Sequence, residues 1–247
     1  KKYYNFDGLN LSIETLDGLV KHNGIVIDTS NYDNILGKNI FKKKINFLRN
    51  PSLESQISSI SDDIAYNSHD LEDGLNSALF KIDDIKNISV ISDIIKKIGK
   101  KIKRNEKQLA VRQIVREIIN EMVKDVIKNT KKNLYKESVK NIKDVYRSDY
   151  QLVNFSEKIS NFDTEIKSFL KDNMYNHANI IKRTKKGEKI IKLLFNKIKK
   201  KPLRFVKKNT LKNQTKERSI CDFIAGMTDR YAINLYNSLK WITLKFI

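Results

Sequence analysis

The chain has 247 residues, with 49 Lys plus Arg against 29 Asp plus Glu, a formal charge of +20, two Pro, eight Gly and one Cys. A single thiol, Cys221, excludes a disulfide framework and a Cys-based zinc cage within the chain. No apolar run reaches the ~18–20 residues of a membrane span, and the first 25 residues lack a signal-peptide core, so the expectation is a soluble, cytoplasmic protein. Scarce Gly and Pro leave few tight turns and favour long helices, so an all-α fold is expected.

Charge position says more than the total. Lys, Ile and Asn supply 40, 34 and 26 residues, all with AT-rich codons, so part of the basicity reads as drift on solvated helix faces. Residues 182–218 hold sixteen Lys or Arg against Glu188 and Glu217, a net +14. Residues 96–107 hold seven against Glu106, a net +6, and together the two segments account for all of the charge.

In chain order, a short helix is predicted from Ser12 or Glu14 to Lys21, closed by Asn23-Gly24, with residues 25–50 irregular. Asn50-Pro51-Ser52 then supplies a capping residue and a Pro suited to a helix start. Leu53, Ile57, Ile60, Ile64, Leu71, Leu75 and Leu79 follow at three- to four-residue steps and predict one helix over 52–80. Val111, Ile114, Val115, Ile118, Ile119, Met122, Val123, Val126 and Ile127 predict a long helix over 107–145. Further helices are predicted over 163–175, 178–200 and 217–240, with 201–216 an exposed loop.

Within the predicted 52–80 helix, Asp62, Tyr66, Asp70 and Asp73 fall within an arc of about 80° at ~100° per residue and form one stripe. Asp62 and Asp70 lie about 12 Å apart along it, with Tyr66 between. Such a row could serve a metal, a phosphate chain and a sugar in sequence; the alternative is an ordinary solvated acidic face. Two features weigh against the latter: Asp has poor mid-helix propensity, and Asp62 and Tyr66 are expected beside the apolar series.

Four segments carry a resemblance. FDGLNLSIETLDGLVKHNG (6–24), SLESQISSISDDIAYNSHDLEDGL (52–75), MYNHANI (174–180) and ICDFIAGMTDRYA (220–232) resemble, in order, segments of the bacterial deoxyguanosinetriphosphate triphosphohydrolase-like proteins of the HD superfamily. The resemblance implies an HD-domain-type helical bundle that converts deoxynucleoside triphosphates, dGTP among them, to deoxynucleoside and tripolyphosphate with a divalent metal, Mg²⁺ or Mn²⁺. It implies that Asp62 is a metal ligand, that Tyr66 faces the phosphates and Asp70 the deoxyribose 3′-hydroxyl, and that Tyr175 lies near substrate. His177 of the same motif and Arg230 of the C-terminal one are weaker candidates.

The dipeptide His69-Asp70 does not match the family's metal pair, which belongs to a segment resembling HDLGHPPFGH that has no counterpart here. Asp62 and His69 are also about 10 Å apart along a helix, too far to share an ion, so His69 is expected on the helix surface. The sequence thus looks like the C-terminal two-thirds of such an enzyme, with residues 1–80 ending the HD core and 81–247 forming a C-terminal helical region. One Asp cannot hold a catalytic metal, and the chain alone is expected to be inactive.

Elsewhere plain structural roles compete. Tyr175 could be ordinary core packing, and Asp222, Asp229 and Arg230 a structural ion-pair set. Gly226 suggests close helix packing, His22 a helix end, Trp241 core or interface, and Cys221 a buried thiol. The Lys-rich segments suggest a second function class, a basic helical module binding single-stranded DNA, and a third, a non-catalytic regulatory partner. A homo-oligomer, with the 107–145 helix at its interface, is also expected by analogy with such enzymes.

Overall fold

The computed structural model describes residues 9–30, 44–99, 107–208, 211 and 215–244. Among them the chain is all helical, without strands, as the composition implies. The elements are α1 (Ile13–Val20), α2 (Leu53–Asn76), α3 (Ile82–Ile85), α4 (Ser89–Gly99), α5 (Lys107–Lys136), α6 (Ile142–Arg147), α7 (Glu157–Leu170), α8 (Ala178–Lys200), α9 (Lys216–Ala225) and α10 (Asp229–Leu244). A π-helical turn, Lys171–Tyr175, follows α7, and a 3₁₀ turn, Pro202–Arg204, follows α8. The chain divides into two compact units, Lys1–Met174 and Tyr175–Ile247.

Local chemistry sets the helix ends. The Ser12 side chain accepts from the Thr15 amide to start α1, and Ser52 accepts from Ser55 to start α2. α2 stops at Asn76, short of the predicted residue 80, because Ser77 caps it and Ala78 adopts a left-handed backbone at φ 53°. The helix predicted over 107–145 is two: α5 ends where Ser138 turns left-handed at φ 50°. A capping box of Asn141 and Asp144 then starts α6. α7 begins six residues before the predicted position, behind Ser156, whose amide and hydroxyl both donate to Asp125 of α5.

Residues 81–99, for which the sequence predicts no element, form α3 and α4. Val90, Ile91, Ile94 and Ile98 bury the inner face of α4. The helix predicted over 217–240 is broken at Gly226, the C-cap of α9, and restarts where Thr228 Oγ1 accepts from the Tyr231 amide. Gly226 therefore ends a helix instead of permitting close packing; an added Cβ would meet only the backbone of its own helix. The basic cluster at 96–107 falls mostly outside the described residues, as does the side chain of Trp241.

In the first unit, α2 packs against α5, α7 and α1, while α4 packs against α5 and α7. Ile60, Ile64, Leu71 and Leu75 of α2 meet a core to which α5 contributes Val111, Ile114, Val115, Ile118, Met122 and Val126, and α7 contributes Ile159, Phe162, Ile166 and Leu170. Leu152 and Val153 add a buried loop, which side-chain amides hold in place. The Val153 amide donates to Gln56 Oε1 at 3.0 Å, Asn133 donates to the Leu152 carbonyl at 2.9 Å, and Asn50 donates to the carbonyls of Ser148 and Tyr150. In the second unit, Ile190, Leu194 and Ile198 of α8 form a core with Val206, Ile220, Ile224 and Ala232.

Two helical glycines differ in kind. A Cβ on Gly74 would run into the ring of Phe80, which is buried and stacked edge-on against Phe169 at 4.9 Å. A Cβ on Gly187 of α8 would touch nothing within 4 Å. Gly74→Ala is therefore expected to lower stability by about 1–3 kcal/mol through overpacking, and Gly187→Ala to raise it by up to about 1 kcal/mol through helix propensity. Thermal melts of the two variants followed by far-ultraviolet circular dichroism check the opposite signs.

Candidate functional site

The rotation of α2 about its axis is fixed by what it buries. Its buried residues are Gln56, Ile60, Ile64, Asn67, Ser68, Leu71, Gly74 and Leu75. Asp62, Tyr66, Asp70 and Asp73 occupy the opposite side: Asp62, Tyr66 and Asp73 are exposed and Asp70 is half-buried. The stripe exists as spaced, but Asp62 and Tyr66 do not lie beside the apolar series. Ile57, near the start of that series, is itself half exposed, and Tyr66 is 56% exposed.

α1 is brought to this face by a small-residue contact. The Ser55 hydroxyl donates to the Gly18 carbonyl at 3.2 Å, and a Cβ on Gly18 would lie 3.1 Å from Ser55 Oγ. Just past the end of α1, and two turns further along α2, His22 Nε2 stands 3.6 Å from Asp62 Oδ2. His22 is thus more than the helix end expected from Asn23-Gly24: it faces the first carboxylate of the stripe. It also lines an open cleft of about 530 Å³ between α1, α2 and α6, together with Glu14, Glu54, Ser55 and Tyr146. Burial raises the Tyr146 phenol above its ordinary pKa, reinforced by the negative charges of Asp17, Glu14 and Glu54. The same helix carries a buried ion pair, Lys21 with Asp17 at 2.6 Å.

Behind the stripe a polar network ties α2 to α7. Asn67, fully buried, donates to Asp163 Oδ1 at 2.6 Å. Lys167 Nζ lies 2.8 Å from Asp163 and 3.3 Å from Asp63, the neighbour of Asp62. Burial opposes the Lys167 ammonium, but the hydrogen bonds and attraction of Asp163 and Asp63 outweigh it and hold its pKa above the usual lysine value. The i,i+4 spacing of Asp163 and Lys167 is visible in the sequence, whereas their junction with Asn67, about a hundred residues away, is not.

The other candidates occupy ordinary structural positions or other parts of the chain. His69 is exposed and lies 3.9 Å from Glu72 on its own helix, as expected of a surface residue. Tyr175 and His177 belong to the second unit. Tyr175 is half-buried in the π-helical turn, and His177 is the N-cap of α8, accepting from the Asn179 amide through Nδ1. Asp222 pairs with Arg218 at 2.8 Å, an i,i+4 bridge, instead of with Arg230, which is exposed in the first turn of α10. Cys221 is exposed, contrary to the expected buried thiol.

Among the described residues no three His, Cys, Asp or Glu side chains converge as a metal site. Asp62 and His22 together present two donor groups, fewer than a catalytic divalent ion requires. These residues do not by themselves make up a metal centre.

With this geometry in view, comparison with known proteins finds similar sequences along the chain. Residues 153–238, spanning α7 to α10, match the phosphohydrolase-associated domain. A deoxyguanosinetriphosphate triphosphohydrolase-like protein of Pelagibacter ubique is 50% identical over 234 residues, covering 95% of this chain and 63% of that protein. Proteins of the same description from Bartonella tribocorum and Neorickettsia sennetsu are each 34% identical, over 100% and 94% of this chain and 64% and 61% of their own lengths. The chain therefore spans a little over three-fifths of these relatives, and its resemblance to the deoxyguanosinetriphosphate triphosphohydrolase-like proteins holds along almost all of its length.

Asp163→Ala would leave the buried Asn67 amide without its acceptor and Lys167 without its nearer carboxylate. A loss of about 1–3 kcal/mol is expected, read from urea denaturation, while Glu72→Ala on the exposed side of His69 is expected to change stability by no more than about 0.5 kcal/mol.

Proposed function

We propose that this chain contributes part of the active site of an enzyme that hydrolyses deoxynucleoside triphosphates, dGTP among them, to deoxynucleoside and tripolyphosphate. The observation that carries the reading is the collinear set Asp62, Tyr66 and Asp70 on the outer face of α2, held in orientation by a fully formed core on the other face. Support also comes from relatives described as triphosphohydrolase-like along 95% or more of the chain. In this reading Asp62 supplies one ligand to a divalent ion, Mg²⁺ or Mn²⁺, Tyr66 donates to the phosphate chain and Asp70 accepts from the 3′-hydroxyl, about 12 Å from Asp62 along the helix. Tyr175 contacts substrate, with His177 and Arg230 as lesser contributors.

The bound metal would supply charge neutralisation at the phosphates. What the chain's own residues do is bind and orient. A phenol donor at the centre of the row and a carboxylate acceptor at its far end suit a phosphate followed by a sugar hydroxyl. Residues 1–80 then form the end of the HD core and 81–247 the C-terminal helical region, in a cytoplasmic homo-oligomer with a deoxynucleotide as substrate. No helix among the described residues is long and apolar enough to cross a membrane. With one or two metal donors in hand, the chain by itself is inactive. A second reading, a basic nucleic-acid-binding or non-catalytic regulatory module, is favoured by the Lys-rich α8 and is compatible with the first.

Incubation of the isolated 247-residue chain with dGTP and Mn²⁺ or Mg²⁺ is expected to release no tripolyphosphate, while dGTP, unlike inorganic phosphate, is expected to raise its melting temperature. Tripolyphosphate release by the chain alone would contradict its proposed inactivity. Stabilisation equal with dGTP and inorganic phosphate would contradict the nucleotide site.

A further inference from the structure

α8 is built in two halves with different surroundings. From Ile190 onward one face is buried, through Ile190, Leu194 and Ile198. From Ile181 to Lys189 every residue is exposed, and Gly187 has open space where a side chain would be. The helix thus continues for more than two turns beyond the core that supports it.

Its composition there opposes a free-standing helix. Lys182 with Lys185 and Lys186, and Lys189 with the same two, form pairs three or four residues apart, so each such pair repels by about 0.2–0.5 kcal/mol, and a mid-helix Gly costs roughly 1 kcal/mol more. None of the four makes an ion pair among the described residues, whereas Lys192 bridges Glu188 and Lys199 bridges Glu217 further along. By helical position, Lys182, Lys185, Lys186, Lys189, Lys192, Lys199 and Lys200 lie within an arc of about 140° opposite the buried face. They form a straight ridge about 27 Å long.

We propose that this outer face of α8 binds double-stranded nucleic acid through its phosphate backbone, without sequence preference. Charge complementarity identifies a polyanion as the occupant. A duplex is favoured over a single strand because the ridge has no aromatic side chain: the one aromatic of α8, Phe195, packs against the core of its own unit, and single-strand sites rely on bases stacking on exposed rings. A stiff duplex carries one phosphate per ~1.7 Å of its axis and releases more counterions per cation placed against it. Binding would also relieve the Lys–Lys repulsion along the helix. The proposal goes beyond the deoxynucleotide reading and does not depend on it, since it needs neither metal nor hydrolysis.

The test is fluorescence anisotropy with a 20-base-pair duplex and with a single strand of the same length, across a salt series and without nucleotide. Three proteins are compared: the unaltered chain, a variant with Lys182, Lys185, Lys186 and Lys189 all changed to Gln, and a control with Lys124, Lys128, Lys131 and Lys132 of α5 changed to Gln. Gln keeps helix propensity, and circular dichroism verifies the fold. The α8 variant is expected to lose at least about tenfold in duplex affinity, with a logarithmic salt slope shallower by about 3–4, while the control keeps its slope within about 1. Equal losses in both variants would assign binding to overall charge and overturn the proposal. So would an unchanged α8 variant, or tighter binding of the single strand than of the duplex by the unaltered chain.

Discussion

Everything at the candidate site depends on the rotation of one helix about its own axis. α2 buries Ile60, Ile64, Leu71 and Leu75 against α5 and α7, and each such side chain stabilises the buried orientation by about 1.5–3 kcal/mol. Turning α2 by half a revolution would expose these four and place Asp62 and Tyr66 in the core, where an unpaired carboxylate costs far more than any one apolar contact returns. The outward direction of the stripe is therefore a consequence of the core. Asn67, buried on the inner side, adds a hydrogen bond to Asp163 of α7 that depends on the same rotation.

A second constraint acts on the stripe from outside the core. Gly18 lets α1 approach Ser55 closely, and that approach carries His22 to Asp62. Asp63, one residue on, is answered by Lys167 from α7, so neighbouring carboxylates face partners of different kinds: an imidazole and an ammonium. Exposed pairs of this sort contribute little to stability. Their effect is on where the carboxylates point. In the second unit carboxylates pair with Lys192, Lys199 and Arg218, while Lys182, Lys185, Lys186 and Lys189 make no ion pair among the described residues.

Much of this architecture is legible in the sequence because it is local. The 3.6-residue apolar period gives α2 and α5, and the angular spacing of Asp62, Tyr66 and Asp70 gives the stripe. What the sequence does not reveal is set by single residues or by distant partners. Ala78 and Ser138 end helices by adopting left-handed backbone that their side chains do not advertise, and Gly226, read from the sequence as a close-packing residue, is a helix cap. The placement of Asp62 and Tyr66 opposite the core could have been had from the same arithmetic that lines up the stripe, applied to Ile60, Ile64 and Leu71. The contact of His22 with Asp62 and the Asn67–Asp163–Lys167 junction join segments forty to a hundred residues apart, and no periodicity encodes such a meeting.

Asp70 is the residue proposed to bind the sugar 3′-hydroxyl. Amide signals of the isotopically labelled chain, followed by nuclear magnetic resonance during titration with dGTP and with its 2′,3′-dideoxy analogue, test this directly. The expected result is that both nucleotides shift the signals around Tyr66, while Asp70 and its neighbours move only with the nucleotide that carries a 3′-hydroxyl. Equal shifts at Asp70 with both nucleotides, or shifts confined to residues outside α2, would contradict it.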